Sequence, residues 1–112
     1  MDAKKFLAQF NEDLEKMRIE VGDMVGAFAG LFGKTMAEGA LTTKQKELIA
    51  LGIALRAGCE HCIVGHTIGL LDAGVTKDEI LETISVAIAM SGTTGMGESL
   101  RVLKILDEHG KL

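Results

Sequence analysis

Five residues of types that move protons and electrons stand close together in this sequence: Glu47, Cys59, His61, Cys62 and His66. The two cysteines are the only ones in 112 residues, and they stand three apart. A thiolate is the reactive form of cysteine, and a pair so spaced can close a disulfide within one helical turn. His66, four residues beyond Cys62, is placed to take a proton from the Cys62 thiol, directly or through a water. Its other ring nitrogen then needs an orienting partner. Glu47 is the candidate, because it precedes an almost wholly apolar run, and a carboxylate entering such surroundings needs a partner to offset its desolvation. A carboxylate–histidine–thiol relay supplies that partner and activates the nucleophile.

Helices must position these groups. Residues three, four and seven apart share a helix face, so Cys59, Cys62 and His66 line one face of a helix running from about residue 60 to Asp72 or Ala73. His61 falls a quarter turn or more off that face. Cys59 lies at the helix N-terminus just after Gly58, where unpaired backbone N–H groups and the helix dipole favour an anion. The preceding helix opens at Leu41-Thr42-Thr43, with Thr42 and Gln45 spaced for a capping box, and runs to about Ala57. Its body, Leu48 to Leu55, is apolar nearly all round and is expected to be buried on most sides. Antiparallel packing of these two helices brings Glu47 towards His66.

The rest of the chain reads as further helices. Phe6, Leu7, Phe10, Leu14, Met17 and Val21 recur at helical spacing over Asp2 to Glu20. Gly22 to Gly39 reads as a shorter helix or a broken continuation. Thr76 and Glu79 form a second capping box ahead of the stripe Ile80, Leu81, Ile84, Ala87 and Ile88, and Gly74 caps the helix before it. Ser91 to Gly97 is glycine-rich but lacks the lysine and spacing of a phosphate-binding loop, so it reads as a connector to a last helix over Glu98–His109. His109 reads as a surface group complementing the dipole of that helix. No strand-like alternation competes. The expectation is an all-α fold of five to six helices in one domain over 1–112, with the Cys-x-x-Cys at the N-terminus of a central helix and N-terminal helices over 2–39.

The chain has no proline, tryptophan or tyrosine, and the lack of proline permits long helices. A hydrophobic content of 47% is high for so short a chain, so part of that surface is expected between subunits of a homo-oligomer. The net charge of −4 provides no basic stripe for nucleic acid. The apolar runs are too short to span a bilayer, and the first residues lead into an amphipathic pattern rather than a secretory signal. A cytoplasmic location is expected, where a close cysteine pair is more often catalytic or metal-binding than a structural staple.

The sequence also resembles the alkyl hydroperoxidase D-like (AhpD-like) branch of the carboxymuconolactone decarboxylase family over a core of about 41–92. The likeness rests on Lys46-Glu47-Leu48-Ile49-Ala50-Leu51, Gly58-Cys59-Glu60-His61-Cys62-Ile63 with His66, and Ala73-Gly74-Val75-Thr76 with Glu79-Ile80. The resemblance implies an all-helical trimer or hexamer with a thiol-dependent peroxidase or disulfide-reductase site. It implies that Cys62 attacks peroxide, that Cys59 resolves the sulfenic acid into a redox-active disulfide, that Glu47 and His66 relay protons, and that His61 assists. No cofactor is implied beyond that disulfide. Electrons return from a dithiol donor such as a lipoyl or thioredoxin-like protein.

Three other readings compete. A decarboxylase-type enzyme is disfavoured because that branch lacks the cysteine pair. A zinc site could draw on Cys59, Cys62 and His66, with Glu47 or His61, although these three cluster on one helix face rather than in two separated pairs. A non-enzymatic oligomer whose dithiol senses redox state would differ from an enzyme in turnover.

Overall fold

Residues 2–112 are described by a computed structural model. Six helices follow one another: α1 Ala3–Val21, α2 Asp23–Met36, α3 Thr43–Ala57, α4 Glu60–Asp72, α5 Lys77–Ser91 and α6 Thr93–Glu108, with no strand among the described residues. The all-α expectation holds.

The sequence's start signals become caps. Thr42 accepts from the Gln45 N–H while the Gln45 side chain accepts from the Thr42 N–H, and Thr76 with Glu79 does the same for α5. Each such cap contributes about 1 kcal/mol by satisfying N–H groups that the helix cannot. The end of α3 is equally defined. Gly58 adopts φ 70°, ψ 31°, a left-handed turn that costs other residues about 1–2 kcal/mol.

Leu51, Leu55, Ile63, Leu70, Ile80, Val102 and Leu106 are fully or almost fully buried where α3, α4, α5 and α6 meet. Each contributes about 1.5–3 kcal/mol through the apolar area it removes from water. A second cluster, Ala3, Val64, Ile68 and Ile105 with Phe6 and Leu7, pins the first turns of α1 onto α4 and α6. The Ala3 N–H also donates to Glu108 Oε2 at 3.1 Å. Gly22, at φ 75°, then turns the chain from α1 into α2.

Two expectations change. The stretch after Ser91 is not a connector: only Gly92, at φ 59°, interrupts the helices, and Thr93 to Gly97 form the first turns of α6. The reason lies at Gly95, where a Cβ would stand 2.8 Å from the Ala87 carbonyl oxygen. The glycine lets two helix backbones touch rather than loosening a loop. Nor is α3 buried on most sides, since Ile49 is 49% and Ile53 64% exposed. Apolar grooves of about 510 and 450 Å³ flank that exposed edge, one walled by Phe28, Leu31 and Phe32 of α2, the other by Val86 and Met90 of α5. No helix among the described residues is long and apolar enough to cross a membrane.

Candidate dithiol site

The site forms where α3 hands over to α4. Gly58 and Cys59 both donate their N–H to the Ala54 carbonyl, at 2.9 and 3.2 Å, closing α3. The Cys59 carbonyl accepts from the Ile63 N–H at 2.9 Å, opening α4. Cys59 is thus the N-cap of α4 in extended backbone (φ −86°, ψ 98°), held from both sides. A disulfide joins it to Cys62, with Cα atoms 5.2 Å apart. Both cysteines are half-buried.

The extended backbone at Cys59 alters the face arithmetic, which assumes helical dihedrals at every position. His61 does not stand aside. Its Nε2 lies 3.5 Å from Cys59 Sγ, although the ring belongs to an exposed residue. Phe10 of α1 stacks on it, with ring centroids 4.5 Å apart and planes 14° from parallel. Such stacking fixes the imidazole plane and so the direction of its nitrogens.

His66, one turn beyond Cys62, meets Glu47 as the antiparallel packing of α3 and α4 required. Its Nδ1 lies 2.9 Å from Glu47 Oε2, and the two side chains are 19% and 26% exposed. An ionised carboxylate can only accept, so Nδ1 donates and Nε2 is left as the basic nitrogen. Phe32 of α2 lies over this histidine at 6.1 Å between ring centroids.

Glu47, His61, Cys62 and His66 open onto one cavity of about 390 Å³. Its other wall is Leu7, Phe10, Asn11 and Phe32, with Gly65 and Gly69 forming the floor on α4. Cys59 is not among the lining residues; its sulfur is bonded to Cys62 and lies against His61. The two apolar grooves along α3 are larger but are lined by no cysteine or histidine. Among the described residues, the close cluster with metal-ligand potential is Cys59, His61 and Cys62, whose donor atoms lie within 4.8 Å of one another.

A charged strut braces the N-terminus of α4. Arg101 of α6 donates to Glu98 at 3.0 Å and pairs with Glu60. The Glu98 hydrogen bond, above all, and the Glu60 charge hold the guanidinium in its charged form. The Glu98 carboxyl also lies 3.8 Å from where a Cβ on Gly58 would stand.

Leu7, Phe10, Asn11 and Phe32 are site residues that sequence reasoning did not single out. Phe6, Leu7 and Phe10 show as an apolar stripe, but periodicity says only that a face is covered, not what it covers.

The sequence profile of the Carboxymuconolactone decarboxylase family matches residues 22–104. The chain belongs to the carboxymuconolactone decarboxylase family. Three similar proteins sharpen the placement within it. The family member apo-lpg0406 from Legionella pneumophila superposes with a TM-score of 0.89 at 29% identity, over 95% of both chains. A Paracoccus denitrificans protein named uncharacterized protein 4 in cox locus is 37% identical over 82 residues, 73% of this chain and 74% of its own. The alkyl hydroperoxide reductase AhpD of Corynebacterium aurimucosum is 46% identical over 41 residues, which is 37% of this chain and 23% of that protein. This likeness, together with the Cys-x-x-Cys, puts the chain in the AhpD-like branch of the carboxymuconolactone decarboxylase family. Helix α1, with Leu7, Phe10 and Asn11, precedes the family-matched residues.

Proposed function

We propose that this protein is a thiol-dependent peroxidase or disulfide reductase whose reacting groups are Cys59 and Cys62. The observation that carries the reading is the Glu47–His66 hydrogen bond of 2.9 Å, opening onto the cavity that Cys62 also lines. In this reading His66 Nε2 takes the Cys62 thiol proton, and the thiolate attacks the outer oxygen of a hydroperoxide. The O–O bond breaks, the alkoxide takes the proton from His66 and leaves as an alcohol, and Cys62 becomes a sulfenic acid. Glu47 stabilises the imidazolium formed in between. Cys59, with His61 against its sulfur, attacks the sulfenic sulfur; water leaves and the disulfide closes. A dithiol donor, a lipoyl or thioredoxin-like protein, reduces it again by thiol–disulfide exchange. This turnover suits a reducing compartment such as the cytoplasm. The name of the Corynebacterium relative supports the peroxide half of the cycle.

We also propose a homo-oligomer. Ile53 of α3, Phe28 of α2 and Met90 of α5 are 64%, 67% and 77% exposed in the single chain, more apolar surface than a lone small domain leaves to water.

The test is rapid mixing of the reduced protein with an organic hydroperoxide, followed by thiol counting and mass, since the chain has no Trp or Tyr to report by fluorescence. Wild type is expected to lose two thiols and form the Cys59–Cys62 disulfide. Cys59→Ser is expected to stop at a Cys62 sulfenic acid. A Cys62→Ser variant oxidised as fast as wild type would remove Cys62 as the attacking thiol. Failure of wild type to form the disulfide at all would end the redox reading.

A further inference from the structure

We propose that the reduced site binds one thiophilic divalent metal ion of the zinc class through Cys59 Sγ, Cys62 Sγ and His61 Nε2. The ligand set differs from the one helical spacing suggests. His66 is engaged by Glu47, while His61, off the face by residue count, is the ring that reaches the sulfurs. In tetrahedral zinc coordination, bonds of about 2.3 Å to sulfur and about 2.0–2.1 Å to nitrogen put sulfur and nitrogen about 3.5 Å apart and two sulfurs about 3.8 Å apart. Cys59 Sγ and His61 Nε2 stand 3.5 Å apart, and all three donor atoms fall within 4.8 Å. Once the disulfide is reduced, the sulfurs need only separate to that spacing while the backbone stays in place. The Cys59 backbone is pinned at its N–H and its carbonyl.

Three further features suit an ion here. Two thiolates balance a divalent charge, and Cys59, as the N-cap, stands at the positive end of the α4 dipole. The Phe10 stack holds the His61 plane without occupying Nε2. Three protein ligands leave one coordination position to solvent. Binding releases the two thiol protons. Because a disulfide has no thiolate to offer, the ion and the Cys59–Cys62 bond exclude one another. The ion therefore belongs to the reduced form alone and withholds both sulfurs from oxidation. This inference stands on donor geometry and not on peroxide turnover, so it survives if the peroxidase reading fails.

The experiment titrates reduced, oxygen-free protein with Zn²⁺ against a chromophoric chelator, and with Co²⁺ to observe thiolate-to-metal charge transfer. One ion per chain is expected, with no competing affinity in the disulfide form. His61→Ala and His61→Gln, both at an exposed position, are expected to bind about tenfold or more weakly while keeping helical circular dichroism. His66→Ala and Glu47→Gln are expected to bind as wild type does. Wild-type affinity in both His61 variants would overturn the proposal, as would loss of binding in His66→Ala or undiminished binding by the oxidised protein.

Discussion

Replacing Glu47 by glutamine tests the relay with little change of shape. The amide oxygen of the substituted side chain can still accept from His66 Nδ1, but it carries no charge. The Glu47 and His66 side chains are 26% and 19% exposed, so the pair is shielded enough to exceed the near-zero value of surface ion pairs. A hydrogen bond to a charged group contributes about 1.5–3 kcal/mol and a neutral one about 0.5–1.5 kcal/mol. The difference, about 1–1.5 kcal/mol, is the part lost when an imidazolium forms beside an amide instead of a carboxylate. At about 1.4 kcal/mol per factor of ten, Cys62 should oxidise about tenfold more slowly in Glu47→Gln. Glu47→Ala loses the hydrogen bond as well and should be slower by about ten- to a hundredfold. The assay is the second-order rate of sulfenic acid formation with an organic hydroperoxide, read by quenched mass analysis in a Cys59→Ser background. Glu47→Gln reacting at the wild-type rate would refute the relay. Equal losses in the two Glu47 variants would show that charge alone, and not the hydrogen bond that positions the ring, is what Glu47 supplies.

Three further outcomes are expected. Gly95→Ala should destabilise by about 1–2 kcal/mol in urea unfolding, overpacking of about 1–3 kcal/mol offset by a propensity gain of up to about 1 kcal/mol. Gly97→Ala in the same helix, with nothing within 4 Å of its Cβ position, should stabilise; the same sign for both would contradict the α5–α6 contact. Gly58→Ala should cost about 1–2 kcal/mol because φ is 70° there, and should slow disulfide closure by displacing Cys59; wild-type stability would refute the left-handed turn. The Lys44 hydrogen bond, then the Thr76 N–H, hold the Glu79 carboxyl below the usual carboxylate range. That contribution is therefore present above the unfolded value and lost as pH falls through the folded one, so urea midpoints of Glu79→Gln should decline less steeply in acid than those of wild type. Parallel decline would remove Lys44 as a partner.

Local signals read well from this sequence, and contacts between elements read poorly. Thr42 and Gln45, Thr76 and Glu79, Gly58 and Gly74 define helix ends through neighbours a few residues away, and all act where their spacing says. The meeting of Glu47 with His66 is also legible, because a tight turn between two helices leaves little choice of packing. The stretch from Ser91 to Gly97 misleads because glycine serves two opposite ends: it frees a loop, and it lets helix backbones touch. Only the presence of Ala87 opposite Gly95 distinguishes them. Counting from a helical Cys59 places His61 off the face, but the N-cap is extended, and that rotates the first side chain relative to the rest. The aromatic cover from Phe10 and Phe32 depends on how α1 and α2 fold back, which an apolar stripe leaves open.

The double tether of Cys59 makes that residue a splice between two helices. Its N–H belongs to the last hydrogen-bonded ring of α3, and its carbonyl to the first of α4. Any movement of the Cys59 sulfur on opening or closing the disulfide is therefore felt in both rings together. Deuterium uptake at the amides of Cys59 and Ile63 should change in step with redox state. Uptake at Ile80 and Val102, buried on α5 and α6, should stay constant. The backbone thus carries its own readout of sulfur oxidation, in a chain without an indole or phenol to signal it.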